Sequence, residues 1–228
     1  KNSITTNWLD HKISTELYLL WINLLSGRSF NNPRCYPIFP FLLINGDVDE
    51  FDPKNPVMYR DLSKNIGSYN EENLETLRIQ SEALSSECGS QFLHSSYISN
   101  PFSVGYFLIR QEPFTSLHIT LQDGAFDVGT RIFKSIPYTF ERVDSVPGFN
   151  REVLPELFFE DDCMYNDNKF NFGNDANDKE IQDVDIPKWS SSPADFIAKQ
   201  RQALESDYTS DHIHEWIDMI WGVNQSGE

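Results

Sequence analysis

Apolar residues at Ile13, Leu17, Leu20, Trp21, Leu24 and Leu25 recur at three- and four-residue steps, the spacing of one helix face. The pattern predicts an amphipathic helix from about Ser14 to Ser26. Ser14 can cap its start and Gly27 fits its stop. From Arg28 to Pro56 the periodicity disappears. Pro33, Pro37, Pro40, Pro53 and Pro56 break any helix, yet Tyr36, Ile38, Phe39, Phe41, Leu42, Leu43 and Ile44 are apolar. Such a stretch predicts extended backbone packed inside the domain. Its buried amides then need side-chain partners, and Arg28, Ser29, Asn31 and Asn32 are suited to supply them.

Helical spacing returns at Glu71 to Ser86, with Leu74, Leu77 and Leu84 on one face and acids in the first turn. Shorter helices are predicted over Phe102–Gln111, stopped before Pro113, and over Thr115–Leu121 and Val128–Ser135. Val153–Phe159 adds a turn or two. Ser192-Pro193-Ala194-Asp195 reads as an N-cap followed by proline at the first helical position, with Phe196, Ala203 and Leu204 on the face that follows. A last helix runs from about Tyr208 to Trp221, striped by Ile213, Trp216, Ile217, Ile220 and Trp221 and ended by Gly222. Strand signals are weak throughout, and no internal repeat is visible.

The chain has 228 residues, enough to bury one sizeable core, and no Gly/Ser- or Pro-rich linker divides it. Aromatic residues make up 14% of it, a share incompatible with intrinsic disorder. The formal net charge of −17 repels phosphate backbones and anionic headgroups, which argues against nucleic acid and against direct membrane contact. Lipid binding would need basic residues from a neighbouring domain. About half of that charge sits between Arg151 and Asp185, where 11 acids face 3 bases, a run expected to be a solvated loop. Cys35, Cys88 and Cys163 are odd in number and lack a Cys-x-x-Cys pair, as expected of free thiols in a reducing compartment. No apolar run is long enough to span a bilayer, and no signal peptide is expected. The first residue is not Met, so the chain is expected to be a piece of something longer.

His212 and His214 stand two apart and point to different helix faces, while His214 and Asp218 share one. A metal-dependent hydrolase using His212, His214 and Asp218 is therefore the alternative to a binding module. Asp167 to Asp178 is rich in Asp and Asn, but Phe172 falls where a calcium loop needs glycine. No nucleophile elbow, Walker loop or dinucleotide fingerprint is present. No cofactor is expected.

Leu25-Ser26-Gly27-Arg28-Ser29-Phe30-Asn31-Asn32, Tyr36-Pro37-Ile38-Phe39-Pro40-Phe41 and Tyr59-Arg60-Asp61-Leu62-Ser63-Lys64 begin a series of blocks that together resemble the signature of the BEACH domain. Arg110-x-Glu112-Pro113-Phe114-Thr115, Gly124-x-Phe126-Asp127, Arg131-x-Phe133-x-Ser135 and Leu154-Pro155-Glu156-Leu157-Phe158 follow in family order. Asn168 to Gly173, Ala203 to Tyr208 and His212 to Gly222 complete the series. Phe92 to Ser99 departs from the family's pattern, as do Phe41, where Trp is usual, and Asn65, where Pro is usual. The resemblance covers nearly the whole chain and implies one mainly α domain over residues 1–228, with helices around a core of extended irregular segments and a C-terminal end that stops short. It also implies a PH-like domain upstream, WD repeats downstream, and no catalytic activity. Family members are large cytoplasmic scaffolds, peripheral to endomembranes, that act with trafficking proteins in vesicle and lysosome-related traffic and in autophagy. A partner-binding groove for the PH-like domain is expected at Arg28, Asn31, Tyr36, Phe39, Arg60, Asp61 and Lys64, because exposed arginines and aromatics anchor interfaces.

Overall fold

The computed structural model describes residues 3–88, 98–146 and 149–225. The described residues form nine α-helices: α1 (Ile4–Leu9), α2 (Thr15–Leu25), α3 (Glu71–Cys88), α4 (Pro101–Phe107), α5 (Phe114–Leu121), α6 (Ile136–Ser145), α7 (Glu156–Phe159), α8 (Pro193–Leu204) and α9 (Asp207–Ile220). Among them there is no sheet, only isolated bridges. The fold is mainly α, as the periodicities predict. No described helix is long and apolar enough to cross a membrane.

Capping sets the helix boundaries. Ser14, Asn100, Ser135, Ser192 and Ser206 each accept an amide hydrogen from the first turn of the helix that follows. Gly27, at φ +85°, closes α2 in the left-handed region that glycine enters without strain. The helix predicted over Val128–Ser135 does not form. One 3₁₀ turn, Gly129–Arg131, stands there, followed by extended backbone that pairs Ser135 with Asp185. A Cβ on Gly129 would lie 2.0 Å from the Asn174 carbonyl oxygen, so the chain approaches too closely there for a helix face. The helix begins instead at Ile136, one residue after its Ser135 cap and with Pro137 in its first turn. Neither α6 nor α1 has a counterpart among the elements expected from the sequence. α4 ends at Phe107, four residues before the expected stop. The Leu84 side chain, the Cys88 thiol and most of the departing Phe92–Ser99 segment lie outside what is described. Cys35 is exposed and Cys163 buried, and both are free.

The Pro-broken ribbon lies where its composition predicts, inside the helical shell. Ile38, Phe39, Leu42 and Leu43 are each at most 1% exposed. Burying side chains of this size contributes about 1.5–3 kcal/mol each. Pro37 and Pro40 carry no N–H, which removes two donors from the buried strip. The remaining polar groups are met one by one. Phe39 N donates to Val153 O (2.9 Å), Arg60 N to Leu42 O (2.7 Å) and Ile44 N to Met58 O (3.1 Å). Ile38 uses a side chain: its N–H donates to Asn23 Oδ1, and its carbonyl accepts from Asn23 Nδ2, both at 2.9 Å. Arg28 Nη1 donates to the Tyr36 carbonyl (2.9 Å). Of the four residues expected to serve the ribbon, only Arg28 reaches it. Asn32 instead caps the 3₁₀ turn Pro33–Cys35, and Ser29 and Asn31 bond to each other.

The ribbon's other side-chain partner comes from the acidic segment. Glu152, 1% exposed, accepts from Phe41 N (2.7 Å), from both Arg60 Nη atoms (3.1 and 2.9 Å) and from Trp216 Nε1 (2.9 Å). One carboxylate therefore ties the ribbon, the Arg60 turn and α9 together. Burial opposes the charge on Arg60, but Glu152, with help from Tyr69 and Asp61, outweighs it and holds the guanidinium pKa above its ordinary value. The expectation that this acidic run is uniformly solvated is thereby corrected at Glu152.

Candidate docking surface

Tertiary packing turns α2 away from the orientation its apolar stripe would favour. Its buried residues are Thr15, Tyr18, Leu19 and Asn23. Tyr18 stacks on Trp8 of α1 with ring centroids 4.7 Å apart, and Asn23 faces the ribbon it must satisfy. Glu205, just past α8, accepts the amide hydrogens of Thr15 and Glu16 (3.0 Å each), which fixes the helix at its other end. Most of the stripe is consequently left outside: Leu17, Trp21, Leu24 and Leu25 are 40%, 43%, 51% and 73% exposed, while Leu20 packs against the core. Phe30, five residues past Leu25, is 42% exposed and packs edge-on against Tyr36. An unpartnered stripe of this size marks a place for another molecule to pack.

The seven residues expected to form one groove divide into three sets. Tyr36, Phe39 and Arg60 are interior, at 2%, 0% and 1% exposure, so the expectation that they present side chains to a partner is corrected for this conformation. The Tyr36 hydroxyl donates to Glu156, Phe39 packs on Phe158 and Phe159, and Arg60 holds Glu152. Arg28 and Asn31 lie at the C-terminal end of α2, and the Arg28 guanidinium sits 5.9 Å from the Trp221 ring beyond the end of α9. Burial lowers its pKa from the ordinary arginine value. Asp61 and Lys64 are exposed, 3.7 Å apart, and the adjoining Arg60 carbonyl accepts from Tyr208 in the first turn of α9. The thirteen residue steps from Tyr208 to Trp221 place these two ends about 20 Å apart. The remaining four thus fall in two places, half-buried Arg28 with exposed Asn31 just past the end of α2, and exposed Asp61 with Lys64 by the first turn of α9.

Periodicity alone could not find this arrangement. Thr15, Tyr18, Leu19, Ile22 and Asn23 also recur at helical spacing, but the stripe opposite is greasier, so the sequence favours the wrong side. Asn23 and Glu152 carried no signal of their own.

The hydrolase alternative fares differently. His212 Nδ1 meets Glu215 at 3.2 Å and its ring packs against Tyr208, while His214 is exposed. Among the described residues no three His, Cys, Asp or Glu side chains are grouped so as to hold a metal ion, and His212, His214 and Asp218 are no exception.

Beside the ribbon, burial raises the Glu156 pKa above its ordinary 4.5, against the opposing Tyr36 hydrogen bond, and its second oxygen is buried without a partner. A raised folded-state carboxyl pKa means that stability is retained at low pH and lost as pH rises through that value. Glu156→Gln keeps an acceptor for Tyr36 and removes the buried charge. It should melt above the wild type at neutral pH, with the difference fading as pH falls through the raised value toward 4.5. An advantage that is constant across thermal melts from acid to neutral pH would refute this.

The fold defines a class: a mainly helical domain whose core is a ribbon of irregular backbone bonded by side chains. The chain belongs to the Beige/BEACH domain family, whose model matches residues 6–228. It is 38% identical over 230 aligned residues to Beige protein homolog 1 of Saccharomyces cerevisiae, covering 99% of this chain and 11% of that protein. Over 222 residues it is 36% identical to BEACH domain-containing protein B of Arabidopsis thaliana, covering 97% of this chain and 8% of that one. The chain thus spans about a tenth of the length of these curated relatives.

Proposed function

We propose that this domain is a non-enzymatic scaffold module of a large protein, and that the outer face of α2 with Arg28 and Asn31 docks a neighbouring PH-like domain. The observation that carries the proposal is the exposed stripe Leu17, Trp21, Leu24 and Leu25 on a helix whose opposite face is fully engaged. Helices pack through such stripes, and tryptophan and arginine supply a disproportionate share of interface energy. A standard interface would cover about 800 Å² here. The large size of the relatives supports a domain that works among neighbours. Action in vesicle and lysosome-related traffic or autophagy, with trafficking proteins as further partners and only indirect contact with endomembranes, is the cellular role proposed.

The test mixes the PH-like domain encoded upstream with this chain and measures association by calorimetry. Trp21→Glu with Leu24→Glu should weaken binding by about 30-fold or more. Its melting temperature should stay near that of the wild type, because both side chains are exposed. Arg28→Glu should weaken binding, whereas Lys64→Glu, at the far end of α9, should weaken it less. No association, or equal affinity for the Trp21/Leu24 variant, removes the assignment. Equal losses at Arg28 and Lys64 would instead place the interface along α9.

A further inference from the structure

Asn45-Gly46 is the only Asn-Gly pair in the sequence. It stands where the buried ribbon reaches the surface, with both residues half-buried and Asp47 exposed beyond them. A glycine nitrogen has no side chain beside it to shield it from the preceding asparagine amide. The Gly46 N–H donates to no acceptor among the described residues. Asp123-Gly124, the only Asp-Gly pair, differs in this respect: Gly124 N donates to Ile119 O at 2.8 Å.

Two hydrogen bonds activate the Asn45-Gly46 pair. Trp189 Nε1 donates to the Asn45 main-chain carbonyl (2.8 Å), which is conjugated with Gly46 N. A donor at that oxygen stabilises the negative charge that spreads onto it when the nitrogen gives up its proton. Asp47 N donates to Asn45 Oδ1 (3.4 Å), which draws electrons from Cγ and folds the side-chain amide back along the chain. Asn45 Nδ2 has no partner among the described residues and is free to depart.

We propose that Asn45-Gly46 is a self-modifying site whose reaction ages the junction between the ribbon and α8. Gly46 N bonds to Asn45 Cγ, the Cγ–Nδ2 bond breaks, and Nδ2 leaves as ammonia with the proton that Gly46 gives up. The product is a succinimide ring. Solvent water, the only co-reactant, then adds to either ring carbonyl and breaks its bond to nitrogen. Addition at Cγ leaves aspartate. Addition at the main-chain carbonyl leaves isoaspartate, with the chain running through the former side chain.

The consequence falls on Trp189, which is 4% exposed and packs on Phe51 (5.4 Å) and on Phe196 of α8 (5.7 Å). Isoaspartate converts its carbonyl acceptor into a free carboxylate and adds a carbon to the main chain next to Gly46. There is little room for that shift, since a Cβ on Gly46 would already lie 3.2 Å from Pro137 and 3.3 Å from Phe140 of α6. Aspartate keeps the backbone path and adds a negative charge beside Asp47 and Asp49.

The test incubates the folded 228-residue chain in water carrying heavy oxygen, at physiological temperature and pH. Trypsin digestion in ordinary water and mass spectrometry follow. The fragment from Cys35 to Lys54 contains no side-chain amide except that of Asn45. It should take up one heavy oxygen, and electron-transfer fragmentation should place it at residue 45 and reveal the isoaspartyl form. Asn45→Gln, which must close a larger ring, should slow uptake about tenfold or more. Trp189→Phe keeps an aromatic ring and removes the donor, and should slow it severalfold. Aged wild type should melt below fresh protein, whereas Asn45→Gln kept for the same time should not. A fragment that takes up heavy oxygen only after unfolding in urea overturns the proposal, and that measurement needs no variant to fold. Uptake in Trp189→Phe at the wild-type rate or above, or aged wild type that melts as fresh, overturns it as well.

Discussion

Glu152→Ala should lower the stability of this domain by about 3–5 kcal/mol, the cost of breaking a buried ion pair from one side. Arg60 is 1% exposed and would keep its charge with no counterion. Phe41 N–H and Trp216 Nε1–H would lose their acceptor in the same step. Domains of ordinary stability have only 5–15 kcal/mol in total, so the variant would sit near unfolding. Urea unfolding monitored by tryptophan fluorescence gives the number. Arg60→Met in the Glu152→Ala background should recover part of the loss, because it removes the stranded charge, and the resulting double-mutant cycle should show strong coupling. A midpoint unchanged by Glu152→Ala would refute the role assigned to the carboxylate.

Asn23→Ala is the second severe case. It strands the N–H and C=O of Ile38, a residue 1% exposed, and each buried orphan costs about 1–3 kcal/mol, so the pair costs about 2–6 kcal/mol. Asn23→Asp distinguishes lost hydrogen bonding from lost volume. Its carboxylate could accept from Ile38 N but could not donate to the Ile38 carbonyl, and burial would raise its pKa above the ordinary value of about 3.9. The deficit of Asn23→Asp should therefore be smallest at acid pH and deepen as pH rises. If Asn23→Ala and Asn23→Leu melt with the wild type, the ribbon does not depend on this side chain.

Both predictions concern residues to which the sequence assigned no part. Asn23 sits among apolar neighbours in a helix and reads as an ordinary polar position. Glu152 falls in a run of carboxylates that ordinarily remain in water. Their importance comes from residues separated along the chain meeting: Asn23 with Ile38, 15 positions away, Phe41 with Glu152, 111 away, and Glu152 with Trp216, 64 away. No local pattern encodes such a meeting. The seven groove candidates differ in depth for the same reason. Tyr36, Phe39 and Arg60 share a chain neighbourhood with Arg28, Asn31, Asp61 and Lys64, but depth below the surface is set by what packs over them.

The sequence by itself determined the helices with clear caps and stops, since serine, proline and glycine act on the backbone within one turn. It determined as well that the Tyr36–Leu43 ribbon must be internal, because so much apolar area cannot stay in water while its prolines forbid a helix. Tertiary structure alone decided which face of α2 is buried. Asn23 has to reach Ile38, and that requirement turns Leu17, Trp21, Leu24 and Leu25 outward against the pull of their own hydrophobicity. Satisfying a buried peptide group outweighs hiding a stripe that another protein can cover.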